Sequence, residues 1–161
     1  MMYRPFTTLD YAALAQLDLE SLRREYPDFD ALSEQERAAR TRTSLASLRF
    51  FERSEHSFVA AEPFDTLHGA IFAQSVWQGD RAFVLISRMW AESEETLRGL
   101  LRACTKSAFD TGVYELHAMF GAHWLEAGAL EDFKSEGLYA VRVLGARSSS
   151  APGVPLSQTG L

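Results

Sequence analysis

Cysteine is almost absent from this 161-residue chain, and the four histidines stand far apart. The lone Cys104 excludes an internal disulfide, and its place on an apolar stripe makes it a core thiol rather than a nucleophile. His56, His68, His117 and His123 include no pair at three- or four-residue helical spacing and have no clustered cysteines beside them, so no metal set is expected. Positive charge is in deficit: 16 Lys and Arg against 22 Asp and Glu leave a net charge of -6, which repels nucleic acid and anionic membranes at long range. No apolar run approaches the length of a membrane span, and residues 1–6 carry no signal-like stretch. A cytoplasmic chain that binds neither nucleic acid nor membrane is expected.

Apolar material is plentiful. Hydrophobic residues make up 47% of the chain, with three Trp and eleven Phe, enough to build a core for one domain without covalent staples. The stretch 82–112 organises the rest. Its first part, through Phe83, Val84, Leu85 and Ile86, is apolar on both faces, which suits a strand over 82–89 covered by helices on either side. Ser93 then caps a helix whose first turn carries Glu94 and Glu95, where negative charge complements the helix dipole. Leu97, Leu100, Leu101, Cys104 and Ala108 recur at three- and four-residue steps, Glu95, Arg98, Arg102 and Lys106 share the other side, and Gly112 closes the helix.

Before this stretch, residues 2–6 form a short extended segment, and Thr7 or Thr8 caps a helix over 9–25 with Tyr11, Leu14, Leu17 and Leu22 inward. Ser33 and Glu36 form a capping box for a second helix reaching 53, with Leu45, Leu48 and Phe51 inward and an interruption at 41–44. Its five arginines, Arg37, Arg40, Arg42, Arg49 and Arg53, read first as a solvated face. Strands over 57–61, 67–77 and 82–89 make an antiparallel meander. After the long helix come a strand over 113–120, a helix over 123–136 with Trp124, Leu125, Leu130 and Phe133 on one side, and a last strand over 138–144. Trp77, Trp90 and Trp124 are expected to pack in the core, Trp90 also being placed to cover a ligand or a dimer seam. A single domain over 1–146 is expected, followed by a polar Ser-, Pro- and Gly-rich tail over 147–161.

The resulting class is α+β: a mixed, mostly antiparallel sheet with helices on both faces, in the order β-α-α-β-β-β-α-β-α-β. Three patches carry a resemblance to a known superfamily. These are Tyr3-Arg4-Pro5-Phe6-Thr7 followed by Asp10, Leu14 and Leu17; Leu100-Leu101-Arg102-Ala103 leading to Gly112; and Phe133-Lys134-Ser135-Glu136-Gly137-Leu138. Together with the element order they resemble the GCN5-related N-acetyltransferases (GNAT) over residues 2–145, within a small bacterial group of that superfamily.

The resemblance implies transfer of an acetyl group from acetyl-CoA to a small-molecule or peptide amine. It implies pantetheine along the backbone of Ile86, Ser87, Arg88 and Met89, and pyrophosphate at the start of the following helix, where Arg88, Arg98 and Arg102 are the available cations. Aligned on Leu100-Leu101, the arginine and two glycines of the superfamily loop fall on Glu92, Glu95 and Leu97, and the superfamily tyrosine falls on Phe133. Tyr139 is the substitute acid, while His117 and Glu115, on the strand beside the cleft, are candidate bases, with His123 just beyond. Two readings stand: an acyl-CoA-dependent N-acetyltransferase with a degenerate pyrophosphate loop, or a catalytically inactive binding module that takes no cofactor. A homodimer through the last strands is compatible with either.

Overall fold

The computed structural model describes residues 1–64, 66–144 and 153–159. Five strands, β1 (Met2–Arg4), β2 (Phe58–Ala61), β3 (Leu67–Gln78), β4 (Arg81–Ala91) and β5 (Leu116–Ala118), lie in sequence order across one sheet. The first four are antiparallel; β5 joins β4 in parallel, Val84, Leu85 and Ile86 facing Leu116, His117 and Ala118. That parallel step needs a crossover, which α4 (Glu94–Asp110) supplies. On one sheet face Leu97, Leu100, Leu101, Cys104 and Ala108 of α4 pack on Ala60, Ile71, Ala73, Val84 and Ile86. On the other, α1 (Tyr11–Glu25) and α3 (Leu45–Glu52) bring Leu14 and Leu48 against Val59, Ala70, Phe72 and Trp90.

The caps follow the sequence signals. Ser33 accepts from the Glu36 amide while Glu36 accepts from the Ser33 amide, starting α2 (Glu34–Arg40). The expected interruption at 41–44 is real, and a buried carboxylate organises it: Asp18 Oδ2 accepts from the Arg42 amide (2.7 Å), the Thr43 amide (3.1 Å) and the Thr43 hydroxyl (3.0 Å). Ser93 caps α4 by accepting from the Thr96 amide at 3.1 Å. Gly112, at φ 78°, closes that helix with the Val113 amide donating back to Ala108 O.

The C-terminal third departs from expectation. The helix expected over 123–136 is only α5 (Leu125–Leu130), led in by a 3-10 turn at Ala122–Trp124. Asp132 adopts φ 65°, and the amides of Asp132 and Phe133 donate to Ala129 O and Gly128 O, so the helix closes well before Gly137. Leu125 and Leu130, expected inward, are exposed, as are Leu45 and Trp77. The strand expected over 113–120 shortens to β5, and residues 138–144 have no strand partner among the described residues. Of the expected tail, 147–152 and 160–161 lie outside the described residues; 153–159 are mostly exposed, with a 3-10 turn at Leu156–Gln158.

Candidate active site

The ladder between β3 and β4 slips by one residue: Phe72 faces Arg88, but the next residue, Ala73, faces Ile86. Ser87 is therefore a bulge, an unpaired extra residue in β4. It falls where the neighbouring strand stops, because the last parallel pair is Ile86 with Ala118. Past this point β4 continues to Ala91 with β3 on one side and, among the described residues, no strand on the other. The open side of β4 past Ser87, running to the start of α4, is the candidate cleft, and Ile86, Ser87, Arg88 and Met89, the residues expected along it, sit at or beside the bulge.

The far end of this cleft is acidic. Glu94 and Glu95 occupy the first turn of α4. Glu92 receives a hydrogen bond from His68 Nδ1 at 2.6 Å, and Glu62 lies 3.8 Å from the other nitrogen of that ring. The cations expected to offset these charges are engaged elsewhere. Arg98 Nε reaches Glu131 at 2.7 Å and Arg102 reaches the same carboxylate at 2.9 and 3.1 Å, tying α4 to the end of α5. Burial raises the Glu131 carboxyl, yet its bonds to Arg102 and Arg98 outweigh that and hold it below the usual range. Arg88 turns to the opposite sheet face and pairs with Glu25 at 3.3 Å. Leu97, aligned with a superfamily glycine, is fully buried in the core beneath α4.

The candidate bases meet. His117 Nε2 hydrogen-bonds the Glu115 carboxylate, and the ring stacks on Phe83 at 3.9 Å. The bond from His117 holds the Glu115 carboxyl below its ordinary value, against partial desolvation and with help from Arg81. Their strand is still paired with β4 here, His117 facing Leu85 two residues ahead of the bulge. His123 packs beside Trp124 instead. The Tyr139 side chain is exposed and makes no hydrogen bond or ring contact among the described residues. Cys104 is fully buried and its thiol is pushed up to about 12 by desolvation, which removes it as a nucleophile. No group of three or more His, Cys, Asp or Glu among the described residues is placed to hold a metal. A shallow depression of about 410 Å³ between α4 and α5, lined by Arg102, Lys106, Phe109 and Glu131 among others, contains no residue of β4 or β5 and is not the cleft.

Two buried polar groups escaped the sequence reading. Asp18 carried a signal, a charge on the Leu14, Asp18, Leu22 stripe of α1. His56 carried none: it is buried between Ser107 Oγ (2.9 Å from Nδ1) and Ser75 Oγ (3.1 Å from Nε2), partners 51 and 19 residues away along the chain.

This arrangement matches known proteins at two levels. A family model described as "Protein of unknown function (DUF1999)" matches residues 1–159. The chain belongs to the DUF1999 family. Crystal structures of TTHA1254 from Thermus thermophilus, as the wild type and as a point mutant, are 39% and 40% identical over 91% of this chain and 100% of theirs, with TM-scores of 0.71 and 0.72. No curated protein matches. A predicted acetyltransferase with acetyl-CoA from Clostridium acetobutylicum is similar at 12% identity and TM-score 0.61, over 87% of this chain and 95% of its own. A transcriptional regulator from Bacillus halodurans is similar at 10% identity and TM-score 0.66, over 89% and 99%. Likeness at such identities shows the fold alone, and the fold of this DUF1999 chain is GNAT-like.

Proposed function

We propose that the cleft binds an acyl-CoA through its pantetheine arm, laid along β4 beyond Ser87, and that the chain transfers the acyl group to a small-molecule or peptide amine. One observation carries this reading: the Ser87 bulge coincides with the last β4 to β5 pair, so the backbone of 87–91 has no strand partner on that side among the described residues. An extended, amide-bearing chain can use those backbone groups as an added strand would. The amine nitrogen would bond to the thioester carbonyl carbon as the carbon–sulfur bond breaks, CoA leaving as a thiolate that takes up a proton from solvent, and the protein would supply positioning and a place for the amine proton. We assign that proton to His117: its Nε2 is held by Glu115, which leaves Nδ1 as the acceptor.

The phosphate end of the ligand fits less well. Glu94 and Glu95 occupy the first turn of α4, where that end would lie, and Arg98 and Arg102 are bound to Glu131, so affinity should come from the pantetheine rather than from charge. The test is calorimetric titration with acetyl-CoA and with acetyl-pantetheine at low and moderate salt. Saturable binding of both, with constants within about tenfold of each other (about 1.4 kcal/mol), is expected. No heat from either ligand at millimolar concentration overturns the reading. The acidic turn and the engaged arginines favour a second reading, a GNAT-like binding module that takes no acyl-CoA, and that same absence of binding would support it.

A further inference from the structure

We propose that Arg88 binds the carboxylate of a free amino acid, which displaces Glu25, and that this amino acid is the amine acceptor of the cleft. The acceptor role rests on the acyl-transfer reading; the carboxylate site does not. Arg88 follows the Ser87 bulge directly, but its side chain lies on the face of the sheet covered by α1 and α3, whereas α4, with the acidic turn, covers the other.

An arginine offers five N–H groups in a planar fork that matches a carboxylate with two parallel bonds. Among the described residues Arg88 makes a single hydrogen bond: Nη2 donates to Glu25 Oε1 at 3.3 Å, and the Ser21 hydroxyl donates to that same oxygen, also at 3.3 Å. Both are longer than usual for their kind. Glu25 is moreover the last residue of α1, where the helix dipole opposes negative charge, and its side chain is 47% exposed. It is a loosely held partner. Beneath it, Arg88 Nε is buried and has no hydrogen-bond acceptor, and neither has Nε1 of Trp90, whose ring centre is 5.8 Å from the Arg88 guanidinium carbon and which is only 3% exposed. Folded proteins rarely leave such donors without acceptors. Two of them, beside a carboxylate so weakly bound, mark a seat for an anionic group.

The charge balance selects the ligand. Arg98 and Arg102 are committed to Glu131, so the seat has Arg88 as its cation, and one guanidinium matches one carboxylate rather than a phosphate dianion. A free amino acid brings that carboxylate without net charge, and so meets no long-range repulsion from a chain of net charge -6. It also carries the amine that acyl transfer needs.

The test is two-dimensional NMR of nitrogen-15-labelled protein, following the Trp90 indole N–H and the Arg88 Nε–H while each common amino acid, and separately its C-terminal amide, is added to millimolar concentration. At least one amino acid should shift both signals saturably, its amide binding at least about tenfold more weakly. Arg88→Gln should abolish the binding. Glu25→Gln, at an exposed position, removes the competing charge and should tighten binding severalfold. The proposal is overturned if no amino acid moves either signal, if acid and amide bind alike, or if Glu25→Gln binds no more tightly than the natural chain. Calorimetry with acetyl-CoA on the same samples separates the two readings: heat from acetyl-CoA without an amino-acid signal overturns the carboxylate site alone, whereas an amino-acid signal without that heat upholds the site and overturns acyl transfer.

Discussion

His56 shows how neighbours dictate a single residue's chemistry. The Ser107 hydroxyl donates to Glu55 O at 2.7 Å, so its oxygen must accept from His56 Nδ1, which leaves Nε2 to accept from Ser75. This network requires the neutral ring, and burial lowers its affinity for a proton, with Glu55 opposing in part. The unfolded chain therefore takes up the proton first as pH falls. Stability contributed by the neutral ring is fully present above about pH 6.5 and declines below it. Urea unfolding across a pH series from neutral to mildly acidic should show that decline, and His56→Gln should be less stable at the neutral end but flatter across the range. The lowered carboxyls of Asp10, Glu115 and Glu131 act only at more acidic pH, so they do not mimic it. Asp18 was readable as a polar intruder on an apolar helix stripe. His56 was not, because its partners are supplied by α4 and β3 rather than by its own segment.

At the scale of elements, α4 was the most legible, since a helix of 17 residues repeats its apolar stripe often enough to be seen. What the stripe does not reveal is how closely the helix lies on the sheet. A Cβ at Gly69 in β3 would come 2.6 Å from Trp90 O and 3.1 Å from Thr96 and Leu100 side-chain carbons. Gly69→Ala should therefore displace α4 and cost about 1–3 kcal/mol, measured as a lower urea midpoint with an unchanged slope. The acidic start of the same helix makes a second prediction. One like charge about 6 Å from a phosphate, at an effective dielectric near 40, costs roughly 1.4 kcal/mol. Glu94→Arg combined with Glu95→Gly should raise CoA affinity at least about tenfold while leaving acetyl-pantetheine unchanged; equal affinities before and after would show that the glutamates do not obstruct the site. α5 was misjudged because its stop is Asp132 in a left-handed conformation, which residues other than glycine rarely adopt and no local signal announces.

For the whole molecule, the sheet divides the core into two clusters that share β3 and β4. Trp90 belongs to the cluster under α1 and α3, and Trp124 packs against the cluster under α4. Because both clusters are built on one sheet, variants retaining only Trp90 or only Trp124 should report the same thermal midpoint by fluorescence once corrected for the substitutions; separate midpoints would mean that the faces unfold independently. Local periodicity and capping chemistry were sufficient to determine the class, the order of elements through α4 and the two buried helix faces, since those features depend on residues within a few turns of one another. The tertiary structure alone decided the rest. Whether Arg98 and Arg102 face a ligand or Glu131, whether His117 meets Glu115 near the cleft, where β4 bulges and where β5 stops are settled by contacts between distant segments, and no spacing along the chain encodes them.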